Sequence, residues 1–162
     1  MIFRLSNKLA AKLKVTPSQV LSLDPNPFAD WSANLFTAGR TQFVIVTNTT
    51  SLYSAVLPGR GIANNGQFIE SALESLREFI KVDGLELIYH RFIAAASGEI
   101  QFSKALNRSV TGSMNDLVFH AKFWLTEGGM SPNEVALRLN DIPFSSLEYR
   151  KPREVFQAMA AE

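Results

Sequence analysis

The chain has 162 residues, 16 Lys+Arg against 15 Asp+Glu, 46% hydrophobic residues, two histidines and no cysteine. This length suits one domain spanning 1–162, since a chain of this size buries roughly 70% of the surface its unfolded form exposes. The missing cysteine excludes a disulfide framework, a thiol nucleophile, an iron–sulfur cluster and a thiolate zinc site, and the near-balanced charge excludes a global attraction to nucleic acid or anionic lipid.

Arg4 and Lys8 interrupt what would have to be the apolar stretch of a signal peptide, and no later segment approaches the roughly 18 apolar residues of a membrane span. A soluble cytoplasmic protein is expected. The charge is unevenly spread: Arg4, Lys8, Lys12 and Lys14 occupy the N-terminal segment with no acid, whereas Glu70, Glu74, Glu78, Asp83 and Glu86 face only Arg77 and Lys81 in the middle of the chain.

In chain order, Ile2 to Leu5 reads as a short strand. Asn7 to Leu13 reads as a helix capped by Ser6 or Asn7, because Leu9 and Leu13 recur at i, i+4 and Lys8 and Lys12 share another side. The prolines of Asp24-Pro25-Asn26-Pro27 make about 16 to 30 a connector. Trp31 to Thr37 and Thr41 to Thr47 form a hairpin about Ala38-Gly39-Arg40, and the continuous apolar run Phe43-Val44-Ile45-Val46 marks a central strand covered on both faces. Ser51 to Leu57 continues the meander.

Gln67 to Val82 carries Ile69, Ala72, Leu73, Leu76, Phe79 and Ile80 on one helical face, with Gly84 as the stop. Leu85 to Ile93 fits strand and helix equally, and Glu99 to Ser103 alternates as a strand. A helix is expected from Ser113 to about Glu127, ended by Gly128-Gly129. Another starts at Ser131-Pro132-Asn133-Glu134, a capping pattern, and a short amphipathic one covers Pro152 to Ala161. Strands first and helices later argue for an α+β fold, a mainly antiparallel sheet packed against three to four helices.

The segment Asn107-Arg108-Ser109-Val110-Thr111-Gly112-Ser113-Met114-Asn115-Asp116 concentrates a guanidinium, hydroxyls and amides where a helix begins. Backbone donors, the helix dipole and Arg108 could hold a phosphate or carboxylate there, with Asn107, Arg108, Ser109, Thr111, Gly112, Ser113 and Asn115 as ligand contacts. The competing account is structural: Ser113 with Asp116 caps a helix and Gly112 permits a turn. Together with Ile-Phe-Arg-Leu-Ser-x-Lys-Leu at the start and Thr-Asn-Thr-Thr-Ser-Leu-Tyr-Ser further on, this segment resembles a family of small stand-alone bacterial proteins classed as a domain of unknown function. The resemblance spans Ile2 to about Pro152 and implies no catalytic role for any residue.

His90 and His120 belong to no metal-ligand spacing, and His120, one turn before Trp124, is expected to be packed. No cofactor or metal is expected. Gly112-Ser113 lacks a nucleophile elbow. Asp83, Glu86 and the Glu70, Glu74, Glu78 stripe are expected as surface charge, not as a metal cage. Arg4, Lys8, Lys12 and Lys14 could instead form a basic patch for nucleic-acid phosphates. Phe119 and Phe123 fall opposite the apolar face of their helix, for which burial between sheet and C-terminal helices is expected, with a homodimer interface as the alternative.

Two functions follow from these residues. One is a binding or interaction module for an anionic or phosphate-bearing ligand, nucleic acid included, recognised through residues 107–116. The other is a small enzyme on a phosphate-bearing substrate, such as a nuclease, with Arg108 stabilising developing charge.

Overall fold

The computed structural model describes residues 1–161. Strand β1 (Ile2–Leu5) passes directly into helix α1 (Asn7–Leu13), where extended Ser6 accepts the Leu9 N–H at 3.3 Å and Leu9 and Leu13 are buried. A connector over 15–26 ends in a 3-10 turn, Pro27–Ala29, capped by Asn26. Next come β2 (Asp30–Ala38), a turn in which Gly39 takes φ 63°, β3 (Thr41–Asn48) and β4 (Ser54–Pro58).

Helix α2 (Asn65–Val82) buries Phe68, Ala72, Leu76, Phe79 and Ile80, leaves Glu70, Glu74 and Glu78 in solvent, and is followed by Gly84 at φ 77°. The ambiguous stretch that follows is helical: α3 (Glu86–Ile88) widens into a π turn, Tyr89–Ile93. Strand β5 (Gln101–Ser103) leads to α4 (Arg108–Thr126), α5 (Pro132–Leu139) and α6 (Pro152–Met159). Ser131 caps α5 as expected, accepting the Glu134 N–H. Among the described residues no helix is long and apolar enough to cross a membrane.

The fold is α+β, but the sheet is mixed, not mainly antiparallel. Its order is β4-β3-β2-β1-β5. β2, β3 and β4 form the expected antiparallel meander, whereas β1 lies parallel to both β2 and β5. Strand periodicity carries no direction, and α1 with the 15–26 connector is a crossover long enough to bring β2 back parallel.

Helices cover both faces. Val44 and Val46 of β3 join a core with Phe3, Trp31, α1 and α2, while Ile45 joins Met114, Leu117 and Ala121 of α4 and Val135 and Leu139 of α5 on the other side. At one end of the free edge of β4, buried Asn140 brackets Ser54, accepting its N–H at 2.8 Å and donating to its carbonyl at 2.9 Å.

Candidate functional site

The chain leaves β1 toward one face of the sheet, through α1, and leaves β5 toward the other, through α4. Parallel neighbours that part in this way open a crevice outside their carboxyl ends, the usual place for a ligand on a sheet with parallel strands. A two-lobed groove lies there. One lobe, about 490 Å³, is bounded by Val20, Lys104, Ala105, Val110, Thr111 and Met114. The other, about 580 Å³, is bounded by Lys8, Leu35, Thr37, Gln42, Asn115, Val118 and Lys122. Ser6, Asn7 and Asn34 line both and join them.

The polar segment at 107–116 is not a loop. Helix α4 starts at Arg108, well before Ser113, because Asn107 is its cap: the side-chain oxygen accepts the Val110 N–H at 2.9 Å, and the Thr111 hydroxyl donates to the Asn107 carbonyl at 3.1 Å. Of the seven candidates, Thr111 and Asn115 line the groove. Arg108 and Ser109 are exposed outside its lining. Ser113 turns the other way, its hydroxyl 3.3 Å from that of Ser146.

Gly112 makes no turn at all. It sits inside α4 without a positive φ, and a Cβ built on it meets nothing within 4 Å. Gly112→Ala is therefore expected to raise stability by about 0.5–1 kcal/mol, read as a shift in the urea midpoint at unchanged slope.

The N-terminal basic patch is dismantled by the position of β1 in the middle of the sheet. Arg4 is 1% exposed. Its Nε and Nη2 donate to the two oxygens of Asp30 at 2.8 Å each, Nη1 donates to the Leu21 carbonyl at 2.7 Å and to Ser103 Oγ at 3.2 Å, and Nη2 also reaches the Ser22 carbonyl at 3.2 Å. Five N–H groups thus meet five acceptors. Lys12 donates to Gln42 Oε1 at 2.6 Å and to the Gly59 carbonyl at 3.0 Å, and Lys14 ends α1 at φ 56°. Arg4 and Lys8 both line the groove, but the Arg4 charge is matched by Asp30, so of the four Lys8 alone offers an unpaired charge there.

A family model described as Domain of unknown function (DUF6933) matches residues 2–155. The chain belongs to the DUF6933 family. No curated protein and no solved structure matches it.

In this DUF6933 chain both histidines stand away from the groove. His90 lies 3.5 Å from Glu86 on the surface, and His120 stacks on Trp124 with centroids 5.5 Å apart. Phe119 and Phe123 are 72% and 57% exposed, so the expected burial between sheet and C-terminal helices fails; α4 packs on the sheet through its opposite side.

Asp83 is not surface charge either. It is buried, accepts the Tyr53 hydroxyl at 2.8 Å and pairs with Arg153 at 3.0 Å. Burial, with the Asp83 carboxylate alongside, holds the Tyr53 phenol far above its ordinary range, so it remains a donor.

Lys104, Lys122, Asn7 and Asn34 are the groove residues that sequence reasoning missed. Lys104 directly follows the carboxyl end of β5, but that this strand is parallel to β1 shows only in the fold.

Proposed function

We propose that the protein is a binding module whose groove between α1 and α4 holds an anionic ligand. The observation that carries this reading is the lining itself: Lys8, Lys104 and Lys122 contribute to it, and no Asp or Glu does. Positive charge without a counter-charge in a partly enclosed cleft concentrates potential there. Asn7, Asn34 and Asn115 add amides that orient a polar ligand. Apart from the paired Arg4 guanidinium, the polar groups of the lining are amides, hydroxyls and ammonium groups, a set suited to holding an anion, which favours binding over turnover.

Calorimetric titration at low salt with inorganic phosphate, a nucleoside monophosphate and a short single-stranded oligonucleotide tests this. Lys8→Ala, Lys104→Ala and Lys122→Ala are each expected to weaken the binding anion about tenfold, the loss of one charge-assisted hydrogen bond. Arg108→Ala, outside the groove, is expected to change nothing. Binding that survives all three lysine substitutions together would sink the proposal.

A further inference from the structure

Strand β1 stops pairing with β2 at Leu5 opposite Ala33, yet β2 runs on to Ala38. Beyond that point no strand of the described residues lies on the β1 side of β2, while β3 pairs it on the other side along its whole remaining length. The direction of the backbone groups follows from two bonds. The Ala33 carbonyl accepts the Ser6 N–H on the β1 side, and the Asp30 carbonyl accepts the Thr49 N–H on the β3 side. By the two-residue alternation of a strand, Leu35 and Thr37 turn their N–H and C=O groups into the space that β1 has vacated.

That space is the groove. Helix α1 borders it on one face of the sheet and contributes Lys8; α4 borders it on the other and contributes Lys122. Between Val110 and Lys122, α4 rises about 18 Å, the span of about five extended residues. Resting on the anion-groove reading, we infer that the natural occupant is an extended acidic peptide segment that adds to the sheet as a strand beside Leu35–Thr37. Successive side chains of such a segment point to opposite faces of the sheet, so two adjacent carboxylates meet Lys8 and Lys122, one on each wall. The backbone supplies affinity and the lysines supply the preference for acid.

The competing account is protective: lysines beside an unpaired strand edge commonly keep other chains away. Phase-selective methylation separates the two. A labelled peptide, Val-Thr-Glu-Glu-Val-Thr, is titrated into the full chain by fluorescence anisotropy, with two further versions N-methylated on odd or on even residues, and inorganic phosphate and a nucleoside monophosphate run in parallel. Strand addition requires one methylation phase, the one facing Leu35 and Thr37, to weaken binding at least about tenfold while the other changes it little. It also requires Lys8→Ala and Lys122→Ala to weaken the unmethylated peptide, with folding checked by an unchanged melting temperature.

Equal binding of both methylated peptides would overturn strand addition and leave the anion groove standing, as would phosphate or nucleotide binding with no peptide binding. If none of the peptides and neither anion binds, both readings fall, and the lysines guard a strand edge.

Discussion

Arg4→Met is expected to lower the free energy of unfolding by about 3–5 kcal/mol, the usual consequence of removing one partner of a buried ion pair. Both side chains of the Arg4–Asp30 pair are 0% exposed. With the guanidinium gone, Asp30 keeps only the Thr49 hydroxyl at 2.8 Å and the Asp24 N–H at 3.0 Å, too little to offset a buried carboxylate. Arg4→Lys is not expected to restore stability, because an ammonium has three donors and cannot fork across both Asp30 oxygens while reaching Leu21, Ser22 and Ser103. Urea unfolding followed by the fluorescence of buried Trp31, next to Asp30, measures both variants. In a double-mutant cycle, Arg4→Met with Asp30→Asn should cost less than the sum of the single changes; strict additivity would mean that the pair does not hold the strand centre as described. The same guanidinium fastens the 15–26 connector through the Leu21 and Ser22 carbonyls, so the variant should also loosen the groove wall carrying Val20.

Phe156→Ala is the second large effect, also about 3–5 kcal/mol. Phe156 is fully buried, stacks on Tyr53 with centroids 4.1 Å apart, and meets the rings of Phe28 and Trp31 edge-on at 5.1 and 6.1 Å. Helix α6 has eight residues, too few to persist alone in water, so its helicity depends on this docking. What remains is Val155 in the second core, the Arg153 N–H on the Asn140 carbonyl at 3.2 Å, and the Arg153 side chain, whose Nε and Nη2 hold the Asp83 carboxylate and carbonyl at 3.0 and 2.9 Å but are partly in solvent. Hydrogen exchange should rise across residues 152–159 before the rest of the molecule opens. Unchanged protection there would show that Val155 and the Arg153 contacts hold α6 without Phe156. The family match stops at Val155, one residue short of this anchor.

Local patterns were readable where one residue's surroundings follow from its near neighbours. β1, α1, the Gly39 hairpin, α2 and the Ser131 cap have the bounds that periodicity and capping chemistry give, to within a few residues. The failures are non-local. Arg4 looked like surface charge because its counter-ion is Asp30 and its hydroxyl partner is Ser103, neither of them a sequence neighbour. Gly112 looked like a break because glycine costs about 1 kcal/mol inside a helix, yet the nineteen residues of α4 absorb that cost. Strand direction left no mark, so the parallel pairs around β1 and the crevice at their carboxyl ends were invisible. The groove had one legible trace: the four residues read as a strand at Ile2 to Leu5 cannot pair the full length of the seven read from Trp31 to Thr37.

The central position of β1 also bears on how the chain assembles during synthesis. Arg4 and Ser103 are 99 residues apart, so β1 leaves the ribosome long before its outer neighbour exists. The β2–β3–β4 meander closes through short loops and can form early, whereas β1 gains its second partner only when β5 emerges. Until then Arg4 lacks its Ser103 partner, and the outer edge of β1 is open beside the last residues of β2. A nascent chain stalled between these events would expose a longer version of the same unpaired edge, which makes that interval the one most prone to pairing between chains.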